Sequence, residues 1–404
     1  MREGFRTAPI IIDKTLIIVY YTISSGRLPI LSQFNNQEIK METPRNIRKM
    51  IPTVKVVSSG CNMKCLYCYY HQEDQGKIKV ISDEVLIKLI AETLAFSDLD
   101  PVQFTWHGGE PMLAGRRLYE RILLIEDELK GNKKVENHIQ TNATLISKRW
   151  AKFFAQNDFK VGISIDGPEQ VHDRCRLLKN GQGSFKLVVL GLENLQAVGI
   201  QPGAIALVSK ASLGQEKEIF DFFVNAGIKR FLLKPCHELS PSGEPTEFSV
   251  SSEEFSRFMI NMLEIWLKKD DPSISVRNLE QMMVGVVGGK PSLCEFSGHC
   301  WLCPKIEFDG SVGPCDSLSR QNHRFGNIAD STWEELFRSE GFFQFLSDLE
   351  RSESKCNGCE WLENCHNRCS RYCSPEKNGT WPRNIFCDAK KEIFHRLKDA
   401  TIDA

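Results

Sequence analysis

The string Cys61-Asn-Met-Lys-Cys65-Leu-Tyr-Cys68 places three thiols on one short loop, directly after an apolar run that reads as a strand. A loop this short can wrap around only one centre, so a strand end, a ligand-bearing loop and a shared site are specified together. Thiolates separated by three and two residues suit a [4Fe–4S] cube, ligating three of its irons and leaving the fourth open. Electron-transfer cubes usually have four cysteine ligands. An open iron is therefore a place where a small molecule with its own ligand atoms can complete the site. The alternatives are a zinc knuckle or three unrelated thiols, although zinc sites usually pair cysteines as CxxC and close four ligands.

The 404 residues leave room for two or three domains and a large core. Lys and Arg number 51 against 52 Asp and Glu, a formal charge of -1. That balance implies no nucleic-acid partner and no acidic-membrane partner. The apolar stretch 16–23 follows Asp13 and Lys14 and is too short to span a bilayer, so neither a signal peptide nor a transmembrane helix is expected. Fifteen cysteines without an export signal favour metal ligation over disulfides, because the cytosol keeps thiols reduced. A cytoplasmic, oxygen-sensitive protein is expected.

From the cysteine loop onward, strands and helices alternate. Strands are expected over 54–57, 103–106, 138–141, 160–165, 203–208 and 229–234, and helices over 82–96, 116–129, 147–156, 184–197 and 216–225, with Ser82 capping the first. This is a parallel α/β pattern. Periodicity alone suits a doubly wound sheet as well as an open six-strand arc, and the arc would leave a lateral mouth for a large substrate.

The cysteine spacing resembles that of the radical S-adenosylmethionine (SAM) enzymes, and this resemblance favours the arc, a partial (β/α)6 barrel. It implies that the amino and carboxylate groups of SAM chelate the open iron. One electron then cleaves SAM to methionine and a 5′-deoxyadenosyl radical, which takes a hydrogen atom from the substrate. His107-Gly108-Gly109-Glu110-Pro111 follows the second strand and resembles the family's GGEP motif, which holds the SAM amino group. Its glycines permit close backbone approach, and Glu110 can receive an ammonium group. Thr141-Asn142 ends the third strand. Ser164 and Asp166 end the fourth on one face and can both reach a ribose hydroxyl. By the same resemblance Arg176 meets the SAM carboxylate and Tyr67 lies beside adenine.

A second cysteine-rich region begins at Cys294, and its eight principal thiols suffice for two further fully ligated cubes. Cys356-x2-Cys359-x5-Cys365-x3-Cys369, with Gly310-x4-Cys315 upstream, resembles the SPASM domain of radical SAM enzymes that modify peptides and proteins. The resemblance implies one auxiliary cluster on Cys294, Cys300, Cys315 and Cys369, and another on Cys356, Cys359, Cys365 and Cys387. Three [4Fe–4S] clusters and SAM are then the cofactors. Such interleaved ligands would let clusters substitute for core in a loop-rich domain. One four-thiolate zinc site on Cys356, Cys359, Cys365 and Cys369 is the alternative. Cys175, Cys236, Cys303 and Cys373 are left as small buried or half-buried thiols, with Cys303 and Cys373 near enough in sequence to exchange with ligands. The expected organisation is an N-terminal extension (1–50), a radical SAM core (51–240), a helical bridge (241–293) and the auxiliary-cluster domain (294–404).

The resemblance extends to the anaerobic sulfatase-maturating enzymes through IQTNATL at 139–145, GISIDGP at 162–168 with His172-Asp173, DGSVGPCD at 309–316 and FGNI at 325–328. In that family a Cβ hydrogen of a serine or cysteine in an unfolded sulfatase segment is abstracted to give formylglycine. The aspartate after an auxiliary-cluster cysteine, here Asp316, is the base that the resemblance implies. One departure is His107, where those maturases carry glutamine. Histidine there is common in relatives that cross-link or epimerise ribosomally made peptides. Residues 1–50 lack cysteines, read as strands over 9–12 and 16–23, and suit either leader-peptide capture by strand addition or packing on the barrel. The expected function is tailoring of a ribosomally made precursor peptide, with formylglycine formation as the alternative. A peptide or protein substrate and an external one-electron donor such as flavodoxin or ferredoxin are the expected partners. An iron–sulfur electron-transfer or regulatory protein that does not cleave SAM is the reading from another class.

Overall fold

A computed structural model describes residues 8–12, 15–19, 47–72, 78–240, 242–318, 323–367, 369–373 and 383–402. The chain forms two compact units, Met1–Ile47 and Arg48–Ala404. In the first, β1 (Ala8–Ile12) and β2 (Thr15–Val19) pair antiparallel, with Ala8 opposite Val19. The strand expected over 16–23 is present as far as Val19, and residues 20–23 lie outside the described residues.

The second unit alternates β3 (Thr53–Lys55), α1 (Asp83–Phe96), β4 (Val102–His107), α2 (Arg116–Leu129), β5 (Val135–Thr141), α3 (Lys148–Gln156) and β6 (Lys160–Ser164). It continues with α4 (Glu169–His172), α5 (Phe185–Gln196), β7 (Gly203–Val208), α6 (Glu216–Asn225) and β8 (Arg230–Pro235). Local chemistry explains the helix starts. Ser82 Oγ accepts from Val85 N–H and Ser147 Oγ from Trp150 N–H, each satisfying a first-turn donor. In α1, Val85, Leu86, Leu89 and Ile90 form a buried stripe, and each such side chain contributes roughly 1.5–3 kcal/mol by leaving water.

Strands β3 to β8 lie side by side in sequence order, all parallel. The sheet does not close, which makes it the partial barrel expected. Past β8 the chain runs through α7 (Ser252–Lys269), β9 (Ser275–Val276), α8 (Arg277–Val286), β10 (Lys305–Ile306), β11 (Ser311–Gly313) and β12 (Gly326–Asn327). The short strands lengthen the arc: β9 adds parallel to β8, β10 parallel to β3, and β11 and β12 follow antiparallel. Their two or three residues are too few to carry a readable period. The chain then forms α9 (Trp333–Leu336), α10 (Glu340–Glu353), α11 (Leu362–Cys365) and α12 (Cys387–Ile402).

Along β4, Val102, Phe104 and Trp106 are buried while Gln103, Thr105 and His107 are half-buried. The buried residues face the helices, and the alternate ones line a polar interior. Toward the strand starts this interior opens into a cavity of about 800 Å³ whose walls include Thr105, His138, Gln140, Gly162 and Arg230. The cysteine loop and the other motif residues sit at the opposite, C-terminal strand ends, where α/β folds usually place their chemistry. Helix α12 returns the cysteine-rich region to α7: Ser256 Oγ donates to Glu392, and Arg396 pairs with Glu264 at 2.8 Å. No helix among the described residues is long and apolar enough to cross a membrane.

Candidate active site

The turn after β4 braces the cysteine loop. Glu110 N–H donates to Gly60 O at 2.9 Å, and a Cβ on Gly109 would lie 2.0 Å from that same oxygen. The close approach anticipated for these glycines is therefore to the backbone just before Cys61. Gly108 adopts φ +133°, a conformation L side chains rarely adopt. On the loop's other side, Lys64 and Leu66 donate to Leu177 O and Cys175 O at 2.7 and 2.9 Å. Asn142 Nδ2 reaches Cys61 Sγ at 3.6 Å and Asn62 Oδ1 at 2.9 Å, joining the end of β5 to the loop. Burial, with repulsion from Glu110 and Cys68 added, pushes Cys61 up to about 11, and burial with repulsion from Cys68 and Cys61 pushes Cys65 up to about 12. Loading a metal here must displace protons.

Glu110 is fully buried. Its Oε1 accepts from Met112 N–H at 3.0 Å and Thr141 Oγ1 at 2.7 Å, and its Oε2 from Asn142 N–H at 2.8 Å. Burial pushes this carboxyl up to about 7 despite those donors. Pro111 is also buried and opens a short 3-10 turn. Asp166 is buried as well. Tyr67 Oη donates to its Oδ2, Leu207 N–H to its Oδ1 at 3.0 Å, and Arg176 Nη2 pairs with Oδ1 at 2.9 Å. Arg176 also lies over the Tyr67 ring at 5.5 Å. Tyr67, Asp166 and Arg176 thus form one buried group, with Cys175 and Cys236 packed against Tyr67. Ser164 Oγ accepts from Gln140 Nε2 at 3.0 Å on the interior face. His172 holds the Arg176 segment by contacting Asp166 N–H and Ser184 Oγ, and burial pushes it down to about 3.

Asp316 is where the cysteine loop meets the C-terminal cysteine region. Tyr69 Oη donates to its Oδ2 and Tyr70 Oη to its Oδ1, while His107 Nδ1 stands 3.6 Å from Oδ2. Burial works to raise this carboxyl, but His107, Lys55 and both tyrosine hydroxyls outweigh it and hold it below the usual carboxylate range. Burial itself pushes the His107 imidazole down, so near neutral pH the tyrosines and Lys55 carry the effect. Lys55 lies over the Tyr70 ring at 4.2 Å, and Arg371 over the Tyr69 ring at 5.3 Å. Sequence reasoning missed Lys55, Tyr69, Tyr70 and Arg371. The available signals were adjacency of the tyrosine pair to Cys68 and of Arg371 to Cys369.

The remaining thiols fall into two groups by mutual charge repulsion. Cys300 feels Cys294, Cys315 and Cys369, and Cys303 lies beside Cys315. Cys356 feels Cys387, Cys365 and Cys359, and those four line one cavity with Trp361 and Lys390. Cys373 is buried near Cys365 and Cys387. No cysteine in the chain is in a disulfide. Among the described residues no three His, Cys, Asp or Glu side chains converge tightly enough for a single metal ion. The donor sets suit soft, thiolate-bound clusters. Lys234, inward on β8, is pushed down by burial, yet Cys294, Cys369 and Cys315 outweigh that and keep it charged.

Residues 56–231 match the Radical SAM superfamily, and residues 294–360 the SPASM iron–sulfur cluster-binding domain. The chain is thus an enzyme of the radical SAM class carrying a SPASM domain, with [4Fe–4S] clusters and SAM as its cofactors. It is 32% identical over 355 residues to a cysteine-type anaerobic sulfatase-maturating enzyme of Clostridium novyi (strain NT), covering 85% of this chain and 94% of the relative. A serine-type anaerobic sulfatase-maturating enzyme of Bacteroides thetaiotaomicron is 29% identical over 366 residues, covering 85% of this chain and 88% of the relative. The structure of native anSMEcpe with bound AdoMet and Cp18Cys peptide superposes with a TM-score of 0.79 at 28% identity, covering 88% of this chain and 99% of that one. The chain belongs to the SPASM-bearing radical SAM family that includes the anaerobic sulfatase-maturating enzymes.

Proposed function

We propose that this enzyme oxidises the Cβ of a serine or cysteine in a peptide or protein segment to an aldehyde, the reaction implied by its resemblance to the sulfatase-maturating enzymes. The carrying observation is Asp316, ionised and gripped by the two tyrosines that follow Cys68, in the residue directly after Cys315. Cys61, Cys65 and Cys68 would hold the SAM-binding cluster. Cys294, Cys300, Cys315 and Cys369 would hold one auxiliary cluster, and Cys356, Cys359, Cys365 and Cys387 the other. When bound, these groups and SAM supply a hydrogen-atom acceptor and a one-electron acceptor. The chain must supply the proton acceptor, and an ionised carboxylate held by neutral donors is suited to take the hydroxyl or thiol proton of the substrate.

Asn142 and the Gly108–Glu110 turn fix the loop that carries the first cluster, and the Tyr67, Asp166 and Arg176 group fixes its far wall. An external one-electron donor of the flavodoxin or ferredoxin kind would restart each turnover. Reconstituted enzyme incubated with SAM, a reductant and a sulfatase-derived peptide bearing Cys or Ser should yield a peptide that reacts with a hydrazide. SAM cleavage without aldehyde on either peptide would count against this reading. His107, standing where the sulfatase maturases carry glutamine and 3.6 Å from Asp316 Oδ2, supports a second one, tailoring of a ribosomally made peptide. That outcome would appear as a peptide losing hydrogen without hydrazide reactivity.

A further inference from the structure

Lys390 lies three residues after Cys387 on α12, one helical turn on and therefore on the same face. It is buried, and it lines the cavity formed by Cys356, Cys359, Cys365 and Cys387. Its Nζ lies 2.8 Å from Glu295 Oε1, a close ion pair without hydrogen-bond alignment, and 5.4 Å from the centre of the Phe296 ring. Glu295 adjoins Cys294 and interacts with Cys294 and Cys369, members of the other thiol group. The Lys390 charge is felt at Cys365 on one side and at Cys369 on the other. One buried ion pair therefore stands between the two thiol groups, its positive end in the cavity of the second and its negative end beside the first.

We propose that the Lys390–Glu295 pair sets the difference in reduction potential between the two auxiliary clusters and so favours electron passage from the Cys294 group toward the Cys356 group. The inference rests on the assignment of a cluster to each group. A cluster held by four thiolates becomes more negative on reduction, so a buried cation beside it favours the reduced form and a buried anion opposes it. Lys390 raises the potential of the cluster whose cavity it lines. Glu295 lowers the potential of the cluster beside Cys294. Direction follows from the orientation of the pair. Lys234, which faces Cys294, Cys315 and Cys369 from β8, adds a constant bias to the first group and leaves the pair's contribution additive.

The test is a potentiometric titration followed by electron paramagnetic resonance on the anaerobically reconstituted full chain, with iron content measured in every sample. Lys390→Met should lower the midpoint potential of the second cluster, and Glu295→Gln should raise that of the first. Each should change its reduction equilibrium about tenfold, which is 59 mV for one electron. The double variant should narrow the gap further than either single variant does. Shifts of the same sign in both single variants, or none with iron retained, would overturn the inference while leaving the cluster assignment intact. If Lys390→Met loses iron, Glu295→Gln alone decides by the sign of its shift. A wild-type chain without two auxiliary clusters would overturn both the inference and the assignment beneath it.

Discussion

Tyr70 and Asp316 stand 246 residues apart in the chain, yet the tyrosine hydroxyl donates to the aspartate carboxylate. This bond, with its Tyr69 counterpart, ties the loop after Cys68 to the turn after Cys315. Each donor to a charged acceptor is worth roughly 1.5–3 kcal/mol. Tyr70→Phe should therefore raise the Asp316 pKa and move the acidic limb of product formation to higher pH. A pH–rate profile of modified peptide checks this, and an unmoved limb would remove Tyr70 from the support of the base.

Gly109 packs on the backbone that precedes Cys61. Because an added Cβ would sit 2.0 Å from Gly60 O, Gly109→Ala must push the loop away or move β4. Overpacking of this kind usually costs about 1–3 kcal/mol. The variant should stay folded by circular dichroism but lose roughly four irons, those of the loop cluster. Wild-type iron content would mean that the loop tolerates displacement.

Replacing Cys61, Cys65 and Cys68 together by alanine should remove the same four or so irons of about twelve, because the other two thiol groups are spatially separate. SAM cleavage should stop. Deoxyadenosine formation by the triple variant would place the reactive cluster elsewhere.

Glu126 offers a test of the core away from the chemistry. It is buried on the inner face of α2, accepts from Asn137 Nδ2 at 2.7 Å, and has an unpartnered Oε1. Burial pushes its carboxyl up to about 7 from an ordinary 4.5, against the lowering effects of Asn137 and Lys130. The native state thus holds this proton more tightly than the unfolded chain. The stability it contributes is full below pH about 4.5 and is lost as pH rises through about 7. Glu126→Gln should flatten that dependence and add roughly 2–3 kcal/mol above pH 7. Urea unfolding at pH 5 and pH 8 measures it, and an identical pH dependence in the variant would contradict the assignment.

What could be read from the sequence follows the range of the interactions. Ser82 announces its helix because a cap acts on residues two or three places away. The six main strands are legible for the same reason, through alternation within each segment. Strands β9 to β12 have too few residues to alternate, and they form because β8 and β3 offer open edges. At the site, the cysteines and the glycine turn stand out as strings, whereas the Tyr69 and Tyr70 grip on Asp316 is formed across most of the chain. Asp166 shows the reverse: it was expected at the end of the fourth strand but lies two residues past Ser164, where that strand ends, and the three partners that occupy its carboxylate were not legible.

The most direct test of the account is Asp316→Asn assayed for deoxyadenosine and modified peptide side by side, with iron content as control. If Asp316 accepts the substrate proton, the variant retains its iron, binds and cleaves SAM, and forms deoxyadenosine without a proportionate yield of aldehyde. Modified peptide formed in the wild-type ratio to deoxyadenosine would contradict the account.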